Sequence, residues 1–212
     1  MKKMLMGLSF ILILIGIIPI QSWAAGEDGK IIHSKNGKQV EYGVPYYLFD
    51  KELPTKGGVT YEAWSSYDYA IFAHDPNSNG TPIVIEHPKK NTGDPVRSGD
   101  VVRIRSVGSN WGGWNYWDFT SALDSYSVWF TNSKNSGHVI SYSDQDDSVG
   151  IGTIGISVGV IPHPVWIDYK GNTKEKAWMT AETHMRGDAE IPSPSERNTQ
   201  FYLYEEAIPP TR

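Results

Sequence analysis

"IIHSKNGKQVEYGVPYYL", residues 31–48, and "IEHPKKNTGDPVRSGDVVRI", residues 85–104, are two readings of one pattern. Laid over each other about 56 residues apart, they bring Gly37 to Gly93, Val40 to Val96, Gly43 to Gly99 and Leu48 to Ile104. The match continues. "KGGVTYEAWSS" from Lys56 lies over "WGGWNYWDFTS" from Trp111, and "YAIFA" from Tyr69 lies over "YSVWF" from Tyr126. "NSNG" ending at Gly80 meets "KNSG" ending at Gly137. Self-similarity at a fixed period marks one supersecondary unit copied along the chain.

The unit is made of strands. Short runs rich in Val, Ile, Tyr, Trp and Phe, such as "YYLFD", "PIVIEH" and "VVRIRSV", alternate with clusters of Gly, Pro, Asn, Ser and Asp. β-branched and aromatic residues suit a pleated, half-buried surface, and the clusters between them suit turns. A third, weaker copy reads "HVISYS", "HPVWIDY", "KAWMTAE" and "TQFYLYEE", stretched by an insertion around residues 184–197. Three units of four strands give twelve strands. One unit cannot bury its own hairpin and its own sheet face, whereas three closing round an axis leave no free edge. The expected fold is all-β, a β-trefoil of three pseudo-repeats; a β-sandwich of similar strand count is the alternative.

"IHSKNGKQVEYGVPYYLF", residues 32–49, resembles the opening signature of the Kunitz soybean-trypsin-inhibitor family through Ile32, Gly37, Val40, Tyr46 and Leu48. Gly57-Gly58 follows where that family often has a Gly pair. The signature's Asp is Ser34 here, and the family's disulfides have no counterpart in a chain without cysteine. The resemblance implies a β-trefoil and, as one function among those trefoils host, protease inhibition. In that family the reactive loop joins the last strand of the first unit to the first strand of the second. The sequence suggests "HDPNSNGTP", His74 to Pro82, for that loop, and it holds neither Lys nor Arg to enter a trypsin-like specificity pocket. The segment "HPKKNTGDPVRSG" is an alternative inhibitory loop, with Lys89, Lys90, Arg97 and two stiffening prolines.

The chain opens Met1-Lys2-Lys3, runs apolar from Met4 to Ile20 and reaches Ser22-Trp23-Ala24. A positive start, an apolar run and small residues make the order of a secretory signal peptide, so residues 1–24 are expected to be removed and 25–212 to form one domain. That predicts an extracellular or periplasmic protein with no transmembrane anchor after processing. Zero cysteines then exclude disulfides and thiolate chemistry, and stability must come from packing. The formal net charge of −5 argues against nucleic acid as a partner.

"GSNWGGWNYWDF", residues 108–119, is the densest aromatic stretch. Aligned positions in two copies should face the same way. Trp114 meets Val59, Tyr116 meets Tyr61 and Phe119 meets Trp64, all apolar pairs expected in the core. Trp111 meets Lys56 and Trp117 meets Glu62, so both tryptophans are expected to face solvent. There they would stack on a ligand, with Asn110, Asn115 and Asp118 orienting it; covering the barrel end is the other use for them.

No catalytic set emerges. Gly155–Gly159 spells G-x-S-x-G, but prolines follow where the nucleophile elbow needs a helix. Arg186-Gly187-Asp188 is an integrin-type tripeptide in a polar insertion. Asp144, Asp146 and Asp147 could serve Ca²⁺, yet the EF-hand spacing is missing and a solvated acidic turn explains them as well. The six histidines show no compact ligand spacing, so neither metal nor cofactor is expected. The sequence therefore points to a non-catalytic recognition protein. Its partner would be a glycan or protein on a cell surface, with an extracellular protease as the alternative.

Overall fold

The computed structural model describes residues 29–53, 55–64, 66–120, 127–134, 137–154, 164–165 and 199–208. Eleven strands and no helix occur among them: β1 (Pro45–Asp50), β2 (Val59–Trp64), β3 (Tyr67–Phe72), β4 (Ile83–Glu86), β5 (Val101–Ser106), β6 (Tyr116–Thr120), β7 (Ser127–Thr131), β8 (His138–Ser143), β9 (Ser148–Ile154), β10 (Pro164–Val165) and β11 (Gln200–Tyr204). Among the described residues no helix is long and apolar enough to cross a membrane.

Six strands close on themselves. β1 pairs with β4, β4 with β5, β5 with β8, β8 with β9, β9 with β11, and β11 returns to β1, all antiparallel. Closure removes the unpaired edges along which sheets aggregate. Strand alternation sends Tyr46 and Leu48, Ile83 and Ile85, Val102 and Ile104, Val149 and Ile151, and Phe201 and Leu203 inside, each at most 1% exposed. Three apolar pairs, Leu48–Leu203, Ile85–Ile104 and Ile140–Ile151, lie in register across three seams of the barrel. The hairpins β2–β3 and β6–β7 meet where Tyr69 lies opposite Trp129.

The repeat is visible in the backbone. β1 and β5 have the same burial alternation along their lengths. Gly37 and Gly93 turn with φ of 77° and 91°, and Gly43 and Gly99 with 79° and 86°. These left-handed conformations suit glycine, which is why the sequence repeats it at both positions.

Two expectations change. "HVISYS" does not open the third unit. It is β8, hydrogen-bonded to β5, and the acidic turn 144–147 joins it to β9. The strand that follows it, β9, is "SVGIGTI", whose glycines hide its strand character from a propensity reading. Nor is "HDPNSNGTP" the link between the first unit and the next. It lies between β3 and β4, where Asn79 exchanges two hydrogen bonds with the backbone of Ile208. The link from β4 to β5 is residues 87–100, the segment with Lys89, Lys90 and Arg97. The 1–24 leader, the G-x-S-x-G run, Arg186–Asp188 and "KAWMTAE" all lie outside the described residues.

Candidate functional site

The β4–β5 link begins where Pro88 prevents β4 from continuing as a ladder donor. Its first half, Pro88 to Gly93, stands exposed. Its second half is zipped to the N-terminal segment: Gly93 N donates to Tyr42 O (2.9 Å), Tyr42 N to Asp94 O (2.9 Å), Val96 N to Val40 O (2.9 Å) and Ser98 N to Lys30 O (2.8 Å). The tip carries its own ties. Lys89 N donates to His87 Nδ1 (3.1 Å), and Asn91 N donates to Asp94 Oδ2 (2.8 Å). Beneath it sits Tyr42, 1% exposed, its ring 5.7 Å from His87 and its hydroxyl donating to Asp100 Oδ2 at 2.6 Å. Burial, and then the Asp100 carboxylate, push the Tyr42 hydroxyl far above the usual phenol range, so it stays a donor at any physiological pH.

The three basic residues divide in role. Arg97 is spent on structure: its guanidinium donates to Gly29 O (2.7 Å) and its N–H to Asp100 Oδ2 (2.8 Å). Lys89 and Lys90 are exposed at the tip. A rigid, exposed loop ending in lysine side chains can enter a partner's acidic pocket with little loss of backbone entropy.

The aromatic stretch divides differently. Trp111 is 43% exposed, as expected of a solvent-facing residue. Its turn is clamped, because Asn110 donates through its N–H (2.6 Å) and its side-chain amide (2.7 Å) to both oxygens of the fully buried Asp68. Ser109 Oγ and Trp114 N both donate to Trp111 O. Trp114 packs its ring 5.8 Å from Tyr67.

Trp117 overturns the expectation of solvent exposure. It is 1% exposed, stacks on Phe130 and donates through Nε1 to Ser106 Oγ at 3.3 Å. The reason is register. Val59 pairs with Phe72 in one hairpin and Trp117 with Phe130 in the other, so Trp117 takes the place of Val59, the place expected for Trp114. The offset is wrong by three residues, and an odd slip exchanges the two faces of a strand. The Gly pairs are non-equivalent for the same reason: Gly57 and Gly58 are buried, while Gly112 and Gly113 are exposed. Asn115 donates to Ser106 O (3.0 Å), so it and Asn110 hold the protein rather than a ligand; half-buried Asp118 lies opposite Trp129.

The acidic turn is likewise occupied. Asp144 is paired with Lys30, Asp146 with Lys51, and Asp147 accepts from the Tyr142 hydroxyl at 2.6 Å. Among the described residues no cluster of His, Asp and Glu could hold a metal ion. Sequence reading missed Tyr42, Asp68, Asp94 and Asp100, whose roles depend on partners far along the chain.

No family model matches this sequence, and no curated protein matches it. Solved structures do. Trypsin inhibitor 1 from Senna obtusifolia is similar at a TM-score of 0.58 and 14% identity, over 84% of this chain and 90% of that one. MP-4 from Mucuna pruriens gives 0.59 at 10% identity, over 82% and 97%. The soybean trypsin inhibitor gives 0.55 at 8%, over 82% and 98%. At these identities the likeness shows the fold: this chain has the architecture of the Kunitz soybean trypsin inhibitors.

Proposed function

We propose that this protein is a secreted, non-catalytic inhibitor of a trypsin-like extracellular protease, acting through the tip Lys89–Asn91. The observation that carries the reading is the position of the tip. The link between the first unit and the second is where the Kunitz-like family carries its reactive loop, and here it presents two exposed lysines on a braced backbone. Soybean trypsin inhibitor is itself known in a complex with porcine pancreatic trypsin. A lysine fits the specificity pocket of such proteases through the acidic residue at its base. The tip rests on Asp94 and on Tyr42, which supports the stiffness an inhibitor needs so that it is held rather than cut.

The same proposal includes a β-trefoil of twelve strands in three pseudo-repeats, formed by residues 25–212 after loss of a 1–24 leader. The three in-register seams support three units.

Titration of purified protein against a panel of serine and cysteine proteases tests the reading. Stoichiometric inhibition of a trypsin-like enzyme is expected, weakened about 30-fold or more by Lys89→Ala or Lys90→Ala. Absence of inhibition at micromolar protein ends the proposal.

One observation favours a second reading, glycan or cell-surface binding. Trp111 is exposed on a turn that Asp68 immobilises, which suits stacking on a sugar ring. That reading now rests on Trp111 without Trp117, and a glycan array with wild type and Trp111→Ala tests it.

A further inference from the structure

A pocket of about 280 Å³ opens beside the tip, lined by Tyr42, Glu86, His87, Lys90, Thr92 and Arg105 among others. A liquid water takes about 30 Å³, so there is room for a small ion and several waters but not for a large organic ligand.

The donors in it outnumber the free acceptors. Glu86 is the only carboxylate among its lining residues, and both its oxygens are engaged: Oε1 accepts from Arg105 Nε (2.7 Å) and Oε2 from the Tyr116 hydroxyl (3.0 Å). Those bonds leave the two terminal amines of the Arg105 guanidinium. His87 Nδ1 is taken up by the Lys89 N–H, so the neutral ring carries its proton on Nε2 and offers a second donor. Lys90 and Thr92 add an ammonium and a hydroxyl. Asp94 and Asp100, the carboxylates around Tyr42, accept from Asn91 N and from Arg97 N and the Tyr42 hydroxyl. Two cations stand against one carboxylate among the lining residues, and the Asp94 and Asp100 carboxylates near Tyr42 keep their charge, so the site rests on its donors from β5 and the link rather than on excess positive charge.

We propose that Arg105, Lys90, His87 and Thr92 form a binding site for a small tetrahedral oxyanion, sulfate or phosphate, beneath the tip. A guanidinium supplies charge-assisted hydrogen bonds in a fixed fork, and donors on other sides suit a tetrahedral ion better than a planar carboxylate. Occupancy draws Lys90 toward the pocket and away from a protease. That coupling rests on the inhibitor reading; the anion site itself does not.

The test titrates the ¹⁵N-labelled protein, without protease, with sodium sulfate or sodium phosphate, against sodium chloride at matched ionic strength. Saturable shifts at the Lys90 and Thr92 amides and at Arg105 Nε–H with either oxyanion, absent in chloride, are expected. Lys90→Ala weakens the binding at least about fivefold, and Thr92→Val weakens it without altering the rest of the spectrum. Shifts that fail to saturate, that chloride reproduces, or that survive both substitutions unchanged overturn the site. A separate protease assay, in which sulfate raises the inhibition constant, tests the coupling; its failure alone removes the coupling and leaves the anion site standing.

Discussion

Trp117 and Phe130 lie opposite each other across the β6–β7 hairpin, ring planes 20° apart and centroids 6.4 Å apart, where β2–β3 has Val59 and Phe72. Trp117 is thereby a core residue. Trp117→Ala is expected to lower stability by about 3–5 kcal/mol through lost burial and a residual cavity. Trp111→Ala should stay within about 0.5 kcal/mol, as surface changes do. Urea unfolding of both variants checks the contrast.

The two Gly pairs make a sharper test of non-equivalence. A Cβ on Gly58 would stand 2.1 Å from the Asn79 carbonyl oxygen, whereas one on Gly112 would meet nothing within 4 Å. Gly58→Ala should cost about 1–3 kcal/mol or more, because the clash is with backbone. Gly112→Ala should be neutral or stabilise by up to about 1 kcal/mol, by restricting the unfolded chain. Melting temperatures of the pair decide it.

Asp68 holds the Trp111 turn through two charge-assisted bonds from Asn110. Asp68→Ala should cost about 2 kcal/mol or more, since it strands the donors at that site. It should also free the turn. A 5-fluorotryptophan signal at position 111 is expected to narrow, while that at position 117 keeps its width.

The Tyr42 hydroxyl donates to Asp100, which also receives the Arg97 N–H. Tyr42→Phe keeps the ring against His87 and removes one tie. A loss of about 1–2 kcal/mol is expected, with faster tryptic cleavage after Lys89 or Lys90. Limited proteolysis followed by mass spectrometry reads the cleaved bond.

Acid should weaken the fold in two steps. Burial lowers the pKa of His138, which is fully buried with Nε2 2.9 Å from Trp117 O. The unfolded chain binds that proton more readily, so stability falls as pH drops below about 6.5. His138→Ile should flatten this step; His138 lies opposite Val102 as buried Ile83 lies opposite Tyr46 and buried Phe201 opposite Val149. At Asp146, burial opposes ionisation, but hydrogen bonds from Lys51, Ser148 and Ser143 outweigh it and hold the carboxyl at about 2. That contribution is complete above about pH 4 and disappears as pH falls toward 2. With solvent screening it amounts to about 1 kcal/mol. Stability measured from pH 8 to pH 2, with Asp146→Asn as control, separates the two.

By itself the sequence determined the alternation of β1 and β5 and the glycine turns that lead into each of them. Leu48 and Ile104 are inside because alternation is a local property of a strand, and Gly37, Gly43, Gly93 and Gly99 recur because a left-handed turn needs them. Only the tertiary structure decided the offset between the two hairpins, and with it the burial of Trp117. It also decided that Lys89 and Lys90 stand on the β4–β5 link. Both depend on which strand pairs with which, and in what register. That choice is made by side chains meeting across the barrel, so no window of consecutive residues contains it.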